Sequence, residues 1–510
     1  MLSAKIMLLV LGSLLLLTSA AYKNNKLVLL SLFAGSFLVG CFFALLDPYL
    51  ILWDEQFHAL VAKHLTENPF KPMLYKDAVL AYDYKNWTTN YVWLHKQPLF
   101  LWQMALSIKL FGCTEFAVRL PSIIMHALLS LMVYKTGTLL FNKRIGLLGA
   151  LLFSFAKYPL ELVCGKYGTD HNDVAFMFYV TASLWALLEY KQTKNNKWLY
   201  LMGLFSGCAI LVKWLVGLIC FLCWATATFF EKGIDLKKEL WAVAKALGIT
   251  TLIALPWQLY ILHTFPLESV HELGYNSQHM FTSVESHAGD ALFYWNALNK
   301  YYGEGDLVPY LVLIAVVFGL YKIQRREARV IVITFIAAVY LFYSIAATKM
   351  TSYCIICAPF IFICIAASIQ FLLDYLLAKI KSLVVERSVR WLVVTLLCFL
   401  FLNYNEVIFE HSVQKQHTGI ARETDLYARD VIKDVSKKLG NNKYVVFNVD
   451  ITPFGYIPFM FYTNYIAYAI IPTIENCETA KSKGYKIAVL KNKPLPDYIE
   501  KDSSIIKLNY

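Results

Sequence analysis

Trp53-Asp54-Glu55 and His95-Lys96-Gln97-Pro98 open and close one long aromatic-rich loop between two hydrophobic segments. A loop between membrane-spanning runs lies at the mouth of a helix bundle. Carboxylates held there are functional candidates, because an unpaired carboxylate in a partly dry cleft is costly. The two stretches therefore predict a helix bundle with a large loop at one end. They also predict that the functional side chains lie at that end.

Outside this loop the chain is strongly apolar. Its 510 residues are 58% hydrophobic, and the mean hydropathy is +0.52. Crossing a hydrocarbon core takes about 20 helical residues, and about twelve runs meet that need. The sequence therefore predicts an α-helical polytopic membrane protein. The runs are 2–22, 27–46, 119–140, 145–163, 173–190, 198–213, 215–230, 241–262, 307–322, 329–346, 353–375 and 390–405.

The connections between these runs predict their orientation. Lysine and arginine collect in every second short connection, for example in residues 22–26 and 379–390. Basic side chains resist translocation, so these connections are expected in the cytoplasm, and the long loops 48–118 and 264–306 are expected outside. The basic connections also account for the net charge of +12 through topology and contact with anionic membrane lipid. No nucleic-acid partner is expected.

Three domains are expected. Residues 1–25 form an extra N-terminal hydrophobic helix, which is either a cleaved secretory signal or an uncleaved span. The basic residues 22–26 favour the uncleaved helix, because cleavage would invert the orientation of the later loops. Residues 26–405 form the transmembrane domain, and residues 406–510 form a separate extracytoplasmic domain.

The composition of residues 406–510 predicts a small α/β domain. Apolar residues recur at a helical period over 423–439, and Gly440 is suited to a C-terminal cap. Short strand-like runs follow at 444–447, 465–471 and 485–490, separated by turn signals.

The residues alone leave the roles of the candidate side chains open. Asp54 fits the N-cap of the helix that follows it as well as it fits a chemical role. Lys96 fits interfacial anchoring as well as phosphate binding. For Asp170 and Asp173, N-capping of the next helix is the first expectation.

The order of the motifs resembles that of the polyprenyl-phosphate-dependent glycosyltransferases of the GT-C type, which include the protein O-mannosyltransferases and the aminoarabinose transferase of lipid A. In that family an Asp-Glu pair opens the first large outer loop and a Lys-Pro-Pro-Leu-like motif closes it, as Asp54-Glu55 and Lys96-Gln97-Pro98-Leu99 do here. The resemblance extends in order over residues 27–375. Its further motifs are Phe111-Gly112, Arg119-Leu120-Pro121-Ser122, Gly207 with Leu211-Val212-Lys213 and Gly217, Leu255-Pro256-Trp257, and Thr348-Lys349 with Tyr353 and Pro359.

The resemblance implies a GT-C membrane domain that transfers a single sugar, with inversion, from a polyprenyl phosphate to an extracytoplasmic acceptor. The acceptor would be lipid A, another glycolipid or glycan, or a protein hydroxyl, and the enzyme would lie in the inner membrane of the cell envelope. Asp54 would be the general base, with Glu55 in the same catalytic pair. The donor phosphate would meet Lys96, Lys213, Lys349 and Tyr353, since cations stabilise a departing anion. The candidates on the acceptor or sugar side are His95, Asp170, Asp173 and Tyr275.

The chain departs from the family pattern at His95, where an acidic residue is usual, and at Gln97, where a second proline is usual. No cofactor is firmly expected. A divalent metal is an open alternative, bridging His95 or Glu55 to an outer-loop histidine, because imidazole is a common ligand. Those histidines are His263, His271, His279 and His287.

Two other classes of function compete with a transferase. A polytopic transporter or lipid flippase would place its charges near mid-span, whereas the candidate charges here fall at predicted helix ends. A binding scaffold would depend on residues 406–510 and not on Asp54 or Lys96.

Overall fold

The computed structural model describes residues 2–166, 170–231, 233–403, 407, 422–491 and 494–510. These residues form two compact units. The first is drawn from residues 1–46, 122–264 and 273–408, and the second from residues 47–121, 265–272 and 409–510. The large loop and the C-terminal segment, which the sequence assigned to different domains, thus share one unit.

Helices dominate the chain up to residue 402. In chain order they are α1 (Leu2–Thr18), α2 (Asn25–Ala44), α3 (Asp54–Leu65), α4 (Pro98–Phe111), α5 (Glu115–Leu140), α6 (Lys143–Phe155), α7 (Lys157–Val163), α8 (Asp170–Thr193), α9 (Asn196–Lys213), α10 (Ile219–Phe230), α11 (Leu236–Thr264), α12 (Pro266–Phe281), α13 (Phe293–Tyr302), α14 (Val308–Lys322), α15 (Arg326–Ile345), α16 (Ala358–Leu377) and α17 (Leu383–Leu402). Short 3₁₀ helices cover Ser19–Ala21, Trp214–Leu218 and Tyr353–Cys357.

Every predicted hydrophobic run falls largely on a helix, and the chain is a multi-pass membrane protein. Among the described residues, seven helices are long and apolar enough to span a membrane, or eight if the bent pair α6 and α7 is one span. This is fewer than the roughly twelve expected from hydropathy windows. One reason is that residues 196–230 form a single 35-residue candidate span, whereas the hydropathy windows predict two spans there, 198–213 and 215–230.

The bend between α6 and α7 follows from a proline. Pro159 has no N–H to donate to the carbonyl of Phe155, one helical turn before it. The helix breaks at Ala156, whose backbone is extended, and the two segments meet at 55°.

In the first unit, α1 packs closely on α2 through glycine. A methyl group on Gly35 would lie 2.8 Å from the carbonyl oxygen of Gly12 and 2.6 Å from Cγ of Leu16. Small residues at a crossing let two backbones approach, which is a common way for helices to associate in lipid. The predicted extra N-terminal helix is therefore a packed helix of this unit.

The second unit contains a four-stranded parallel sheet. After α18 (Arg422–Leu439) come β1 (Tyr444–Phe447), α19 (Tyr456–Tyr462), β2 (Ile466–Ala467), α20 (Ile474–Ser482), β3 (Lys486–Lys491), α21 (Asp497–Glu500) and β4 (Ile505–Asn509). The strand order is β2-β1-β3-β4, so the chain leaves β1 toward one edge and returns to its other side. All four residues of β1 are buried, as expected for a parallel strand covered on both faces.

The predicted α/β character of this segment is confirmed, with two differences. The strand expected over 465–471 is only two residues long, although the backbones of Tyr468 and Ile470 continue to hydrogen-bond residues 446–449 beyond it. The strand β4 was not predicted. Gly440 has a φ of +66°, which fits its predicted capping role.

Lys63 joins the large loop to the C-terminal segment. Its ammonium donates hydrogen bonds to the carbonyl oxygens of Met460 at 2.8 Å, Phe461 at 3.0 Å and Thr463 at 2.5 Å. These carbonyls lie at the C-terminal end of α19, where backbone oxygens lack helical partners and carry partial negative charge. The lysine thus fixes α3 against α19 within the second unit.

The neighbouring His64 predicts a pH dependence of stability. Burial lowers the pKa of its imidazole to about 4, and its Nδ1 lies 2.9 Å from the carbonyl oxygen of Met73. The unfolded chain takes up a proton near pH 6.5 and the folded chain does not. Stability is therefore complete above about pH 6.5 and is lost as the pH falls toward 4, at up to about 1.4 kcal/mol per pH unit.

Melting temperatures of the detergent-solubilised chain between pH 4 and 7 measure this effect. His64→Gln, which keeps a side-chain N–H donor without the titration, is expected to flatten the dependence. An equally steep dependence in His64→Gln would assign the loss to other groups.

Candidate functional site

Asp54 is the first residue of α3, where the partial positive charge of the helix N-terminus favours a carboxylate. Its Oδ1 lies 3.8 Å from Nζ of Lys96 and 3.6 Å from Nε2 of His58. The side chains of Asp54 and Lys96 are each 18% exposed, so a substrate can reach them, whereas His58 is buried. The two ends of the large loop thus bring an acid and a cation together, as the sequence predicted.

Glu55 has a different environment. Its carboxylate accepts hydrogen bonds from Arg119, with Oε1 2.6 Å from Nε and Oε2 3.0 Å from Nη2. Oε2 also accepts from the backbone N–H of Ile51 at 2.6 Å. The same guanidinium donates to the carbonyl oxygens of Asp47 and Tyr49, so one buried pair holds residues 47–55 in place.

This geometry corrects the expectation that Glu55 shares the catalytic role. The Glu55 and Arg119 side chains have no exposed surface, and both carboxylate oxygens already accept hydrogen bonds from the protein. Glu55 is suited to positioning Asp54. No site role is predicted for Arg119 from the sequence, although it begins the motif Arg119-Leu120-Pro121-Ser122.

His95 lies in an aromatic enclosure. Its ring stacks on Trp87 with centroids 4.6 Å apart and nearly parallel planes, and Nδ1 lies 3.3 Å from Oε2 of Glu272. Both side chains are buried. The second unit therefore holds His95 with a carboxylate partner from α12, and Glu272 is the last residue of that unit's share of the helix.

Within the described part of the chain, the histidines and carboxylates expected to bind a metal do not come together. In the described ranges, no three residues among His, Cys, Asp and Glu form a group that could hold an ion. The ring of His271 approaches the carbonyl oxygen of Lys85, and His279 lies against the carbonyl oxygen of Tyr275. A metal bridge from Glu55 is also disfavoured, because both oxygens of its carboxylate accept hydrogen bonds from Arg119.

The first unit contains a second cluster of predicted residues. Nζ of Lys213 pairs with the fully buried carboxylate of Asp173 and lies 4.5 Å from the ring centroid of Tyr353. The side chain of Lys213 is 17% exposed. The sequence predicted Lys213 and Tyr353 for the donor and Asp173 for the acceptor, and here the three are in contact.

A tight turn positions Lys213 at the end of α9. The following 3₁₀ helix folds back so closely that a methyl group on Gly217 would lie 2.6 Å from the backbone nitrogen of Ile210. Ser206 fixes the turn by donating to the carbonyl oxygen of Gly217 at 2.8 Å. Glycine at 217 is thus required by close approach, and the lysine is directed by backbone geometry.

Two of the remaining candidates, Lys349 and Tyr275, have hydrogen-bond partners of their own. Lys349 is buried, and its ammonium donates to the carbonyl oxygens of Ser344 at 3.1 Å and Ala346 at 2.6 Å. It therefore caps the end of α15, which uses two of its three donors. The hydroxyl of Tyr275 donates to Glu285 at 2.7 Å. Asp170 begins α8, and its side chain is outside the described part of the structure.

Known sequences match parts of this chain. Residues 95–260 match the family described as dolichyl-phosphate-mannose-protein mannosyltransferase. An uncharacterised protein of Aquifex aeolicus is 26% identical over 294 residues, which are 57% of this chain and 55% of that protein. The undecaprenyl phosphate-alpha-4-amino-4-deoxy-L-arabinose arabinosyl transferase of Pseudomonas paraeruginosa is 30% identical over 175 residues, or 31% of this chain and 29% of the transferase. The chain thus spans about half or less of these relatives.

Solved structures match over most of the chain. ArnT from Cupriavidus metallidurans bound to undecaprenyl phosphate superposes with a TM-score of 0.67 at 14% identity, covering 90% of this chain and 88% of that one. The oligosaccharyltransferase AglB from Archaeoglobus fulgidus, in complex with an inhibitory peptide and a dolichol-phosphate, gives a TM-score of 0.54 at 12% identity, covering 91% and 69%. At these identities the likeness establishes the fold. The named relatives with an assigned activity are all transferases, and none is a transporter.

Proposed function

We propose that this chain, which has the fold of the GT-C membrane proteins, transfers one sugar from a polyprenyl phosphate to a hydroxyl or phosphate acceptor. The observation that carries the proposal is the contact between Asp54 and Lys96, with Oδ1 and Nζ 3.8 Å apart and both side chains partly exposed. A base and a cation at one accessible place are what displacement of a phosphate requires.

The proposed reaction is a single displacement. The acceptor oxygen attacks the anomeric carbon, its proton passes to the Asp54 carboxylate, and the bond from that carbon to the phosphate oxygen breaks. The electron pair of the broken bond leaves with the polyprenyl phosphate, and attack opposite the leaving group inverts the anomeric carbon. If the acceptor is already an anion, no proton passes to Asp54.

Lys96 has two roles in this proposal. Its ammonium places positive charge beside the leaving phosphate, where a fixed cation lowers the barrier more than it would in water. It also holds the Asp54 carboxylate in one orientation before the acceptor arrives. The pair Glu55 and Arg119 contributes indirectly, because it fixes the backbone on which Asp54 is mounted.

For the second cluster we propose recognition of the donor phosphate through Lys213, with Tyr353 beneath the ammonium. An aromatic ring face at 4.5 Å stabilises a cation without competing for its N–H donors. Lys349 stays a candidate for the donor phosphate through one N–H donor. Its other two donors already bind carbonyl oxygens at the end of α15. Tyr275, Asp170 and Asp173 remain proposals for the acceptor side.

Lys213→Ala is expected to weaken binding of undecaprenyl phosphate by the purified chain by about tenfold, which is about 1.4 kcal/mol. Asp173→Asn separates a direct role from a structural one. If the ammonium binds phosphate, releasing it from Asp173 keeps or tightens binding, and if the ion pair only supports the fold, Asp173→Asn weakens binding as much as Lys213→Ala. Lys76→Ala, at an exposed surface ion pair, is the control.

We further propose that the chain lies in the inner membrane with the Asp54 face and the C-terminal domain outside the cytoplasm, as its basic loops favour. Mass spectrometry of lipids and proteins from cells with and without the chain tests the function. We expect one species to lose the mass of a single sugar when the chain is absent, and a sugar-charged polyprenyl phosphate to accumulate. Unchanged lipids and proteins, together with transport of a labelled lipid by proteoliposomes of the Asp54→Asn chain, would instead establish a transporter.

A further inference from the structure

We propose that Trp53 and Phe454 form an aromatic platform that binds a sugar ring of the acceptor beside Asp54. The proposal rests on the proposed transferase function and names the acceptor class for that same site. The acceptor is then a glycan or glycolipid headgroup, and the C-terminal domain takes part in selecting it.

The platform is an exposed contact between two parts of the second unit. The ring centroids of Trp53 and Phe454 are 4.7 Å apart with planes tilted by 53°. Phe57, on the next turn of α3, supports Phe454 edge-on at 5.7 Å, and Trp87 packs on Phe57 at 4.9 Å. Trp53 is nevertheless 43% exposed, so its ring is supported from within and open on another side.

Both aromatic residues have a backbone conformation that bulky side chains avoid. Trp53 has a φ of 72° and a ψ of −120°, and Phe454 has a φ of 56°. Glycine would adopt these angles without strain. Two aromatic residues in this conformation, one of them directly before Asp54, point to a functional role for the rings, since strained positions concentrate at functional sites.

The sheet topology points independently to the same place. Phe454 belongs to the connection between β1 and α19, which leaves the carboxyl end of β1. Because the strand order is β2-β1-β3-β4, the chain reverses direction at β1. In open parallel sheets, ligands bind in the crevice beyond the carboxyl ends of the strands at such a reversal.

The neighbouring groups favour a sugar ring over other occupants. The face of an aromatic ring carries partial negative charge and attracts the C–H groups on the apolar face of a pyranose. For the hydroxyls on the ring edge, the partners in this proposal are Asp54 and Lys96, a pair that begins one residue after Trp53. A serine or threonine side chain is too small to cover two rings, and a lipid tail gains nothing from a carboxylate and an ammonium beside it.

Binding of methyl β-D-glucopyranoside to the full chain in nanodiscs, followed by saturation-transfer NMR, tests the platform without a donor. We expect Trp53→Leu and Phe454→Leu to weaken binding by about fivefold or more, and Trp53→Phe to retain it within about twofold, since leucine keeps the bulk and loses the ring face. Phe70→Leu is the control, because Phe70 is an aromatic residue of the same unit that is 63% exposed.

Several outcomes would overturn the platform. These are no glycoside binding by the native chain, equal loss in Trp53→Leu and Phe70→Leu, full retention in Trp53→Leu, or Trp53-dependent binding of acetyl-Ala-Thr-Ala-amide in place of the glycoside. Failure of the proposed function looks different. In that case Trp53-dependent glycoside binding persists, while cells with and without the chain have identical lipids and proteins.

Discussion

Asp54→Asn is expected to reduce transfer by about 10²- to 10⁴-fold while the chain still inserts and folds. Asparagine has nearly the same size as aspartate and keeps an oxygen toward Lys96, but it cannot take a proton from the acceptor. Accumulation of the modified lipid or protein in cells, measured by mass spectrometry, reports the loss. With purified material, the turnover number should fall and donor binding should change little.

The control for this change is Glu67→Gln. Glu67 lies in the same unit, and its ion pair with Lys76 is exposed, so removing its charge should cost little. Asp54→Glu should retain a measurable part of the activity, because a carboxylate is still present. The activity should stay below that of the native chain, because the longer side chain moves the carboxylate. If Asp54→Asn kept more than about a tenth of the native rate, Asp54 would not be the base of the reaction.

Arg119→Met is expected to have the largest effect on folding. It leaves the carboxylate of Glu55 buried without its charged partner and removes the donors to the carbonyl oxygens of Asp47 and Tyr49. Breaking one side of a buried ion pair costs about 3–5 kcal/mol. The variant should be recovered in low yield from membranes. Its melting temperature, measured as the loss of the size-exclusion peak after heating in detergent, should be clearly lowered.

The double variant Arg119→Met with Glu55→Leu distinguishes charge from shape. If the unpaired carboxylate causes the instability, removing it should restore part of the melting temperature. Activity should remain low in the double variant, because the pair also fixes the backbone before Asp54. Full activity in either variant would contradict a positioning role for Glu55 and Arg119.

The sequence predicted the helical membrane fold because hydrophobic length and basic loops are read directly from composition. It predicted the meeting of Asp54 and Lys96 because both lie in recognised motifs at the ends of one loop. The order and the register of the parallel C-terminal sheet could not be predicted from the sequence, since both depend on pairings between short strands that lie far apart in the chain. Strand β4, five residues long, carries too weak a pattern to predict.

The sequence could not separate Asp54 from Glu55. Adjacent residues at a helix start point in different directions, and which one is buried depends on Arg119, 64 residues further along. The same limit applies to Lys349, whose motif gave no sign that its ammonium caps α15. Phe454 was missed because its importance comes from a contact with Trp53 made through tertiary structure.

The bond from Lys63 to Met460 joins residues 397 positions apart, which constrains how the chain matures. At a synthesis rate of about 5–20 residues per second, roughly 20 to 80 s pass between emergence of the two partners from the ribosome. During that interval Lys63 and several aromatic side chains of the large loop lack the C-terminal segment that they contact in the folded chain. Chaperones or lipid must protect the loop until that segment is made. A prematurely terminated polypeptide would carry Asp54 and Lys96 without the C-terminal segment that Lys63 binds, so the second unit is completed only after translation has finished.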